Sequence, residues 1–196
     1  MGFTISKRFA DAATSKSGKG GGYLNPSKLA DGGSVKFHIV SDEPLEFWEC
    51  WIESPDGQLK PLRFLDDPTP EDIEAELGDF SRRMNRDGNG VEPAKPAMAF
   101  TVFNLDTETI QVCQFSQKLL IAELTSIVQD EDTSDLTQFD LKLSRQGLML
   151  DTKYSLRPVP TKAGTHKKAL DALAAAEADG YDIKRLIQGG NPFSAE

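Results

Sequence analysis

Cysteine and histidine are scarce, with two of each in 196 residues. His38, Cys50, Cys113 and His166 are widely scattered, whereas a structural zinc site needs about four ligands at short, patterned spacing. Structural zinc is therefore not expected. Cys50 and Cys113 each sit among aromatic and β-branched neighbours, a setting for buried core thiols rather than a disulfide. Long apolar runs are missing too. Stretches such as Leu119 to Ala122 are only a few residues long, against the roughly 20 that span a bilayer. The first residues, Met1 to Thr14, hold no apolar stretch of signal-peptide length. The expectation is a protein without membrane contact, in a reducing, cytoplasmic compartment.

Catalytic signatures are also absent. The two histidines have no motif context. The acidic groups at Asp66-Asp67 and around Asp130, Glu131, Asp132 and Asp135 lack the glycine-bearing spacing of an EF-hand and read as solvated loops. The Gly/Ser/Lys stretch Ser15 to Gly22 is not a Walker loop, because Lys19 is followed by glycine and no strand precedes it. No dinucleotide fingerprint occurs. The chain reads as a non-enzyme with no cofactor and no metal.

Acidic residues outnumber basic ones, giving a net charge of −9. The distribution matters more than the sum. Residues 1–40 carry six Lys/Arg against two acids, and residues 141–168 carry seven against one. A mean hydropathy of −0.41 suits a chain with a core and some flexible segments.

Residues 1–33 read as a flexible basic arm, in which the Gly/Ser/Lys-rich stretch Ser15 to Gly22 cannot bury apolar area. From Ser34 the pattern has period two, as half-buried strands require. Val35 to Ile39 is one strand, and His38 falls on its polar-facing positions. Leu45 to Glu53 is a second, Gln58 to Leu65 a third. Thr69 as N-cap with Pro70 behind it starts a helix, expected to run to about Asn85 with Arg82, Arg83 and Arg86 near its end. Residues 66–96 form this helical insertion. Two strands follow, Ala97 to Asn104 and Thr107 to Phe115. Ser116 is positioned to cap a helix from Gln117 to about Gln129. Phe139, Leu141 and Leu143 alternate with polar residues, Lys153 to Val159 is the last strand, and residues 165–178 form a short Ala-rich helix before the tail. Several short strands with one helix between the third and fourth strand groups follow the order of a five-stranded OB-type barrel. The expected fold is mainly β: such a barrel over residues 34–160, with the helical insertion, one capping helix and a C-terminal helix and tail at 161–196.

Binding a single strand takes aromatic faces for bases and cations for phosphates. Trp48 and Trp51 fall on opposite faces of their strand. If Trp51 shares the Phe47 core face, Trp48 is the stacking candidate, and Phe103 and Tyr154 join it. Lys36, Arg63, Lys142, Arg145, Lys153 and Arg157 have strand context for phosphate contacts, with Arg82, Arg83 and Arg86 assisting.

The run Phe139-Asp140-Leu141-Lys142-Leu143-Ser144-Arg145-Gln146-Gly147, followed by Asp151-Thr152-Lys153-Tyr154-Ser155-Leu156-Arg157-Pro158, resembles the closing hairpin of tailed-phage single-stranded-DNA-binding proteins. The segment 45–53 and Val102-Phe103-Asn104 are similar to that family as well. The resemblance covers residues 34–160. It implies an OB fold, sequence-independent binding of single strands in phage replication, recombination and repair, and an infected bacterial cell as the setting. It also implies self-association through a basic N-terminal arm, here Lys7, Arg8, Lys16 and Lys19. Some members carry a Cys/His zinc site in the insertion; this chain has no cysteine between Trp51 and Val112, so no metal is carried over. Family members recruit replication proteins through acidic tails, and the tail here, with Asn191-Pro192-Phe193 and Glu196, is only mildly acidic. A different expectation is an OB-type protein-interaction module acting on a host or phage polymerase. A third is a metal-dependent nuclease using the acidic loops.

Overall fold

The structure is a computed structural model that describes residues 22–85 and 87–194. It is mainly β. Nine strands form one mixed sheet: β1 (Tyr23–Leu24), β2 (Ser34–Ile39), β3 (Leu45–Glu53), β4 (Leu59–Phe64), β5 (Ser81–Arg82), β6 (Lys95–Asn104), β7 (Thr109–Phe115), β8 (Phe139–Gln146) and β9 (Lys153–Pro160). Three α-helices accompany them: α1 (Pro70–Ala75), α2 (Lys118–Gln129) and α3 (Thr165–Ala178). The principal path runs β1-β7-β6-β2-β8-β9, with β3 beside β6 and with β4 and β5 on β3. Both β2 and β3 pair antiparallel with β6, Phe37 opposite Asn104 and Leu45 opposite Ala99. They are one strand interrupted at residues 40–44, where Glu43-Pro44 breaks the ladder.

The expected barrel does not close. Among the described residues no ladder joins β7 to β9. The edge of β7 is taken instead by β1, in parallel, with Tyr23 opposite Val112 and Leu24 opposite Cys113. Helix α2 packs against both β7 and β9 and directs Leu120, Leu124 and Ile127 at the core. Residues 22–33, expected to be part of a free arm, are thus folded onto the sheet. Residues 1–21 lie outside the described residues.

Two apolar layers explain why β6 is buried almost end to end. On one side of the sheet Phe37, Phe100, Val102, Cys113, Phe115, Leu141, Leu143 and Leu156 meet α2. Phe100 and Phe115 pack edge to face, with centroids 5.1 Å apart. On the other side Phe47, Ala97, Ala99, Phe103, Ile110 and Val112 are covered by α3 and by Tyr181 and Leu186. Both thiols are buried as expected, and burial pushes the Cys113 thiol up. A third cluster joins Cys50 and Ile52 to Ile73 and Leu77.

The helix that starts at Thr69 is shorter than its sequence suggests. Its N-terminus is a capping box in which the Thr69 side chain accepts from the Asp72 backbone and Asp72 accepts from the Thr69 backbone. It ends at Ala75 because Gly78 adopts φ 56°, a turn that L-residues resist. Arg82 then lies in β5, opposite Ile52. Ser116 does not cap α2; Gln117 occupies that position without a side-chain bond.

Two consequences can be measured. Gly147, which turns the chain after β8, has φ 80°, and a Cβ there would collide with the Asp151 carbonyl. Gly147→Ala should destabilise the fold by more than about 1 kcal/mol, read as a lower urea midpoint. Tyr181, hydrogen-bonded at 2.7 Å to Thr101 Oγ1, has its phenol pushed up to about 12 by burial, against the opposing effect of that bond. An unfolded phenol ionises near 10. The unfolded chain therefore loses its proton first as pH rises, so Tyr181's contribution is complete below about pH 10 and lost between about 10 and 12. Urea midpoints should fall over that window in the native protein, and fall less in Tyr181→Phe.

Candidate nucleic-acid interface

Strands β2, β8 and β9 lie side by side in register. Lys36 is opposite Lys142, and Lys142 is opposite Arg157. One step along, Ser34, Ser144 and Ser155 form a parallel row. Gln146 opposite Lys153 follows on β8 and β9. These side chains share a face because their neighbours Val35, Phe37, Leu141, Leu143 and Leu156 are buried on the other side. Directly opposed residues sit about 4.5–5.5 Å apart at Cα, so three cations line up across a short width of sheet. Like charges directly opposite destabilise a sheet. No ion pair relieves them: among the described residues none joins Lys36, Lys142, Lys153 or Arg157 to a carboxylate. The serine row leaves a low floor of hydroxyls beside the charges.

Asp140 stands next along β8, but its carboxylate is turned into a buried network. Its Oδ1 is 2.9 Å from His38 Nδ1 and accepts from Thr161 Oγ1 at 2.8 Å. The other nitrogen of His38 is 2.9 Å from His166 Nδ1, at the start of α3. His38 is fully buried, not polar-facing to solvent as its alternation suggests, because α3 covers this end of β2. The network joins residues 102 and 128 positions apart, and no local pattern announces it. Beside it, a cleft of about 380 Å³ is lined by Lys36, Lys162 and Lys168 with Asp106, Glu108 and Asp140. Lys168 pairs with Glu108.

The structure therefore brings Lys36, Lys142, Lys153 and Arg157 together. The other expected contacts lie elsewhere. Arg63 is nearly buried: its Nε donates to Glu49 Oε2 at 2.9 Å, its Nη1 to the Leu186 carbonyl at 3.0 Å, and its Nη2 to Gln114 Oε1 at 3.4 Å. Arg145 donates to the carbonyls of Ser27 and Leu29 at 2.7 and 2.6 Å and so clamps the segment that leads into β2. The Arg63 guanidinium is engaged through all three nitrogens, and that of Arg145 through its Nη1. Phe103 is 2% exposed beneath the C-terminal segment and has no face free for a base. Tyr154 packs against the core side of β9, and Trp48 is half-buried. Arg82 donates to the Glu92 carbonyl. Arg83 is exposed, 3.9 Å from Glu92. Arg86 lies outside the described residues.

The more exposed tryptophan is Trp51, at 37%. It does lie on the Phe47 side of β3, yet the C-terminal cover that seals Phe47 leaves Trp51 accessible. It lines a cleft of about 420 Å³ together with Tyr23 and Lys28, to which Glu49, Arg63 and Gln114 contribute their polar network. On its other side a depression of about 200 Å³ holds Arg83, Glu92 and Lys95. Tyr23 and Lys28 fall within the presumed arm, and nothing local in the sequence marks them as neighbours of Trp51.

No family, curated protein or solved structure matches the chain. Among the described residues no helix is long and apolar enough to cross a membrane, and no cluster of His, Cys, Asp or Glu could hold a metal ion.

Proposed function

We propose that the chain is a non-enzymatic, sequence-independent single-stranded-DNA-binding protein acting in phage replication, recombination and repair. The observation that carries this reading is the row Lys36–Lys142–Arg157, three opposed cations with no carboxylate partner among the described residues. Such a row raises the energy of the free protein and is relieved by an anion that spans it. A phosphodiester backbone is such an anion, and single strands are held by basic grooves of this kind. The element order supports an OB-type reading in which β2 with β3, then β6, β7, α2, β8 and β9, supply the strand–strand–strand–helix–strand–strand succession, with α2 spanning the side left unpaired.

The resemblance of the β8–β9 hairpin to phage single-strand binders supports the same conclusion. The basic arm proposed for self-association lies outside the described residues. Tail-mediated recruitment would require release of a docked segment, because the Phe193 ring lies 5.1 Å from that of Tyr181 and 6.0 Å from that of Tyr23.

A second reading, a protein-interaction module, is favoured by one feature. Leu148, Met149 and Leu150 are 61%, 89% and 78% exposed at the β8–β9 turn, and three adjacent exposed apolar residues suit a protein contact.

One titration separates the two. Intrinsic fluorescence is followed as a mixed-sequence single-stranded oligonucleotide, or the same length of duplex, is added at two salt concentrations, with gel retardation in parallel. Quenching and retardation by the single strand, weakened by salt, are expected. No signal and no retardation would sink the DNA reading in favour of the interaction module.

A further inference from the structure

We propose that the cleft between Trp51 and Tyr23 is a subsite for one nucleobase carrying an exocyclic amino group, read by the carboxylate of Glu49. The inference rests on the single-strand reading and adds a base preference to it. Two aromatic side chains in the lining of one concavity suit a flat ligand. Trp51 is 37% and Tyr23 50% exposed at a cleft of about 420 Å³, within the size range of small-molecule sites. Tyr23 is held from behind by Phe193, edge to face at 86°.

The polar wall has one unused position. Arg63 spends Nε on Glu49, Nη1 on the Leu186 carbonyl and Nη2 on Gln114. Gln114 donates to Glu49 Oε2 at 3.0 Å through its Nε2 and accepts from Arg63 through its Oε1. Among the described residues no donor is bonded to Glu49 Oε1, although the Glu49 side chain is only 7% exposed. Oε1 is not among the fully buried side-chain atoms that lack a partner, and Glu49 lines both this cleft and the depression holding Arg83 and Lys95, so it is open to a donor from a ligand or from water. The charge of Glu49 is already balanced by Arg63, so the wall favours a neutral N–H over an ammonium.

Cytosine and adenine present an amino group at the Watson–Crick edge. Thymine presents its single N–H between two carbonyl oxygens, which would face the carboxylate. Lys28 lines the same cleft, in a turn whose flanking carbonyls, those of Ser27 and Leu29, are held by Arg145 of β8. That clamp ties the cleft to the strand that carries Lys142.

The test measures binding of oligo(dC) and oligo(dT) of equal length to the full chain at fixed salt, by anisotropy of the labelled strand and by tryptophan quenching. Oligo(dC) is expected to bind more tightly. Trp51→Ala should weaken oligo(dC) binding by roughly 5- to 160-fold, the range for loss of one stacking platform, and should erase the difference between the two strands. Trp51→Phe should retain it. Glu49→Gln should erase the preference while leaving stacking; should that variant fail to fold, Tyr23→Ala, at an exposed wall position, replaces it and should behave like Trp51→Ala. Lys142→Ala with Arg157→Ala should weaken both strands equally and leave the preference intact. Equal binding of the two strands, tighter oligo(dT) binding, or a Trp51→Ala variant with unchanged affinity and preference would overturn the subsite while leaving the single-strand reading standing. Failure of the native protein to bind either strand would overturn both.

Discussion

Replacing Lys142 and Arg157 together by alanine should reduce single-strand affinity by about 25-fold at 0.1 M salt, from a slope of about −0.7 in log K per neutralised phosphate and hence about 5-fold per contact. The salt dependence should fall with it: the slope of log K against log salt should become shallower by about 1.4. The direction follows from the geometry of one row. Lys142 lies between Lys36 and Arg157 on adjacent strands, and no ion pair to a carboxylate holds either residue among the described residues. Fold stability should be unchanged or slightly raised, since two repulsive neighbours are removed from an exposed face. Affinity measured at several salt concentrations, with urea unfolding as a control, decides the matter. A slope that stays as steep as that of the native protein would remove these two residues from the interface.

Arg63→Ala should act in the opposite sense, with a large loss of stability and no change in salt slope. Its side chain and that of Glu49 are 9% and 7% exposed, and the guanidinium also lies 5.3 Å from the centroid of the Phe47 ring. Removing one partner of a buried ion pair leaves a charge with no compensation, which costs about 3–5 kcal/mol. Replacing both partners, as in Arg63→Leu with Glu49→Leu, should cost less than the single change, because no buried charge remains. Urea unfolding of the three variants gives the comparison. Native-like stability of Arg63→Ala combined with weakened DNA binding would restore Arg63 to a phosphate-contacting role.

The contrast between Lys142 and Arg63 shows where local reading works. Both are cations on predicted strands, and both stand beside apolar residues. For Lys142 the alternation with Leu141 and Leu143 decides the outcome, since those two are buried and Lys142 on the opposite face is half-buried. For Arg63 alternation is no guide, because β4 is half-buried along most of its length and the group that claims the guanidinium, the Leu186 carbonyl, is 123 residues away. The two tryptophans make the same point. Period two places Trp51 with Phe47, and that placement holds. Which part of that face is sealed depends on how far α3 and the chain after it extend over β3.

Local physics therefore determined a good deal by itself. Period-two alternation produced the strands. Thr69, Pro70 and Asp72 produced a capped helix start, because a capping box needs only neighbours three residues apart. The apolar surroundings of Cys50 and Cys113 produced buried thiols. What only the tertiary structure decided has a common cause, contact between segments far apart in the chain. Pairing of β1 with β7 left the barrel open at that edge. Termination at Gly78 freed Arg82 to pair in β5. The docking of α3 buried His38 against Asp140 and His166 and closed Phe103 to solvent. Register across β2, β8 and β9 assembled Lys36, Lys142 and Arg157 from three separate strands. Alternation says which way a side chain points along its own strand; what waits there to cover, pair or leave it is settled by the rest of the chain.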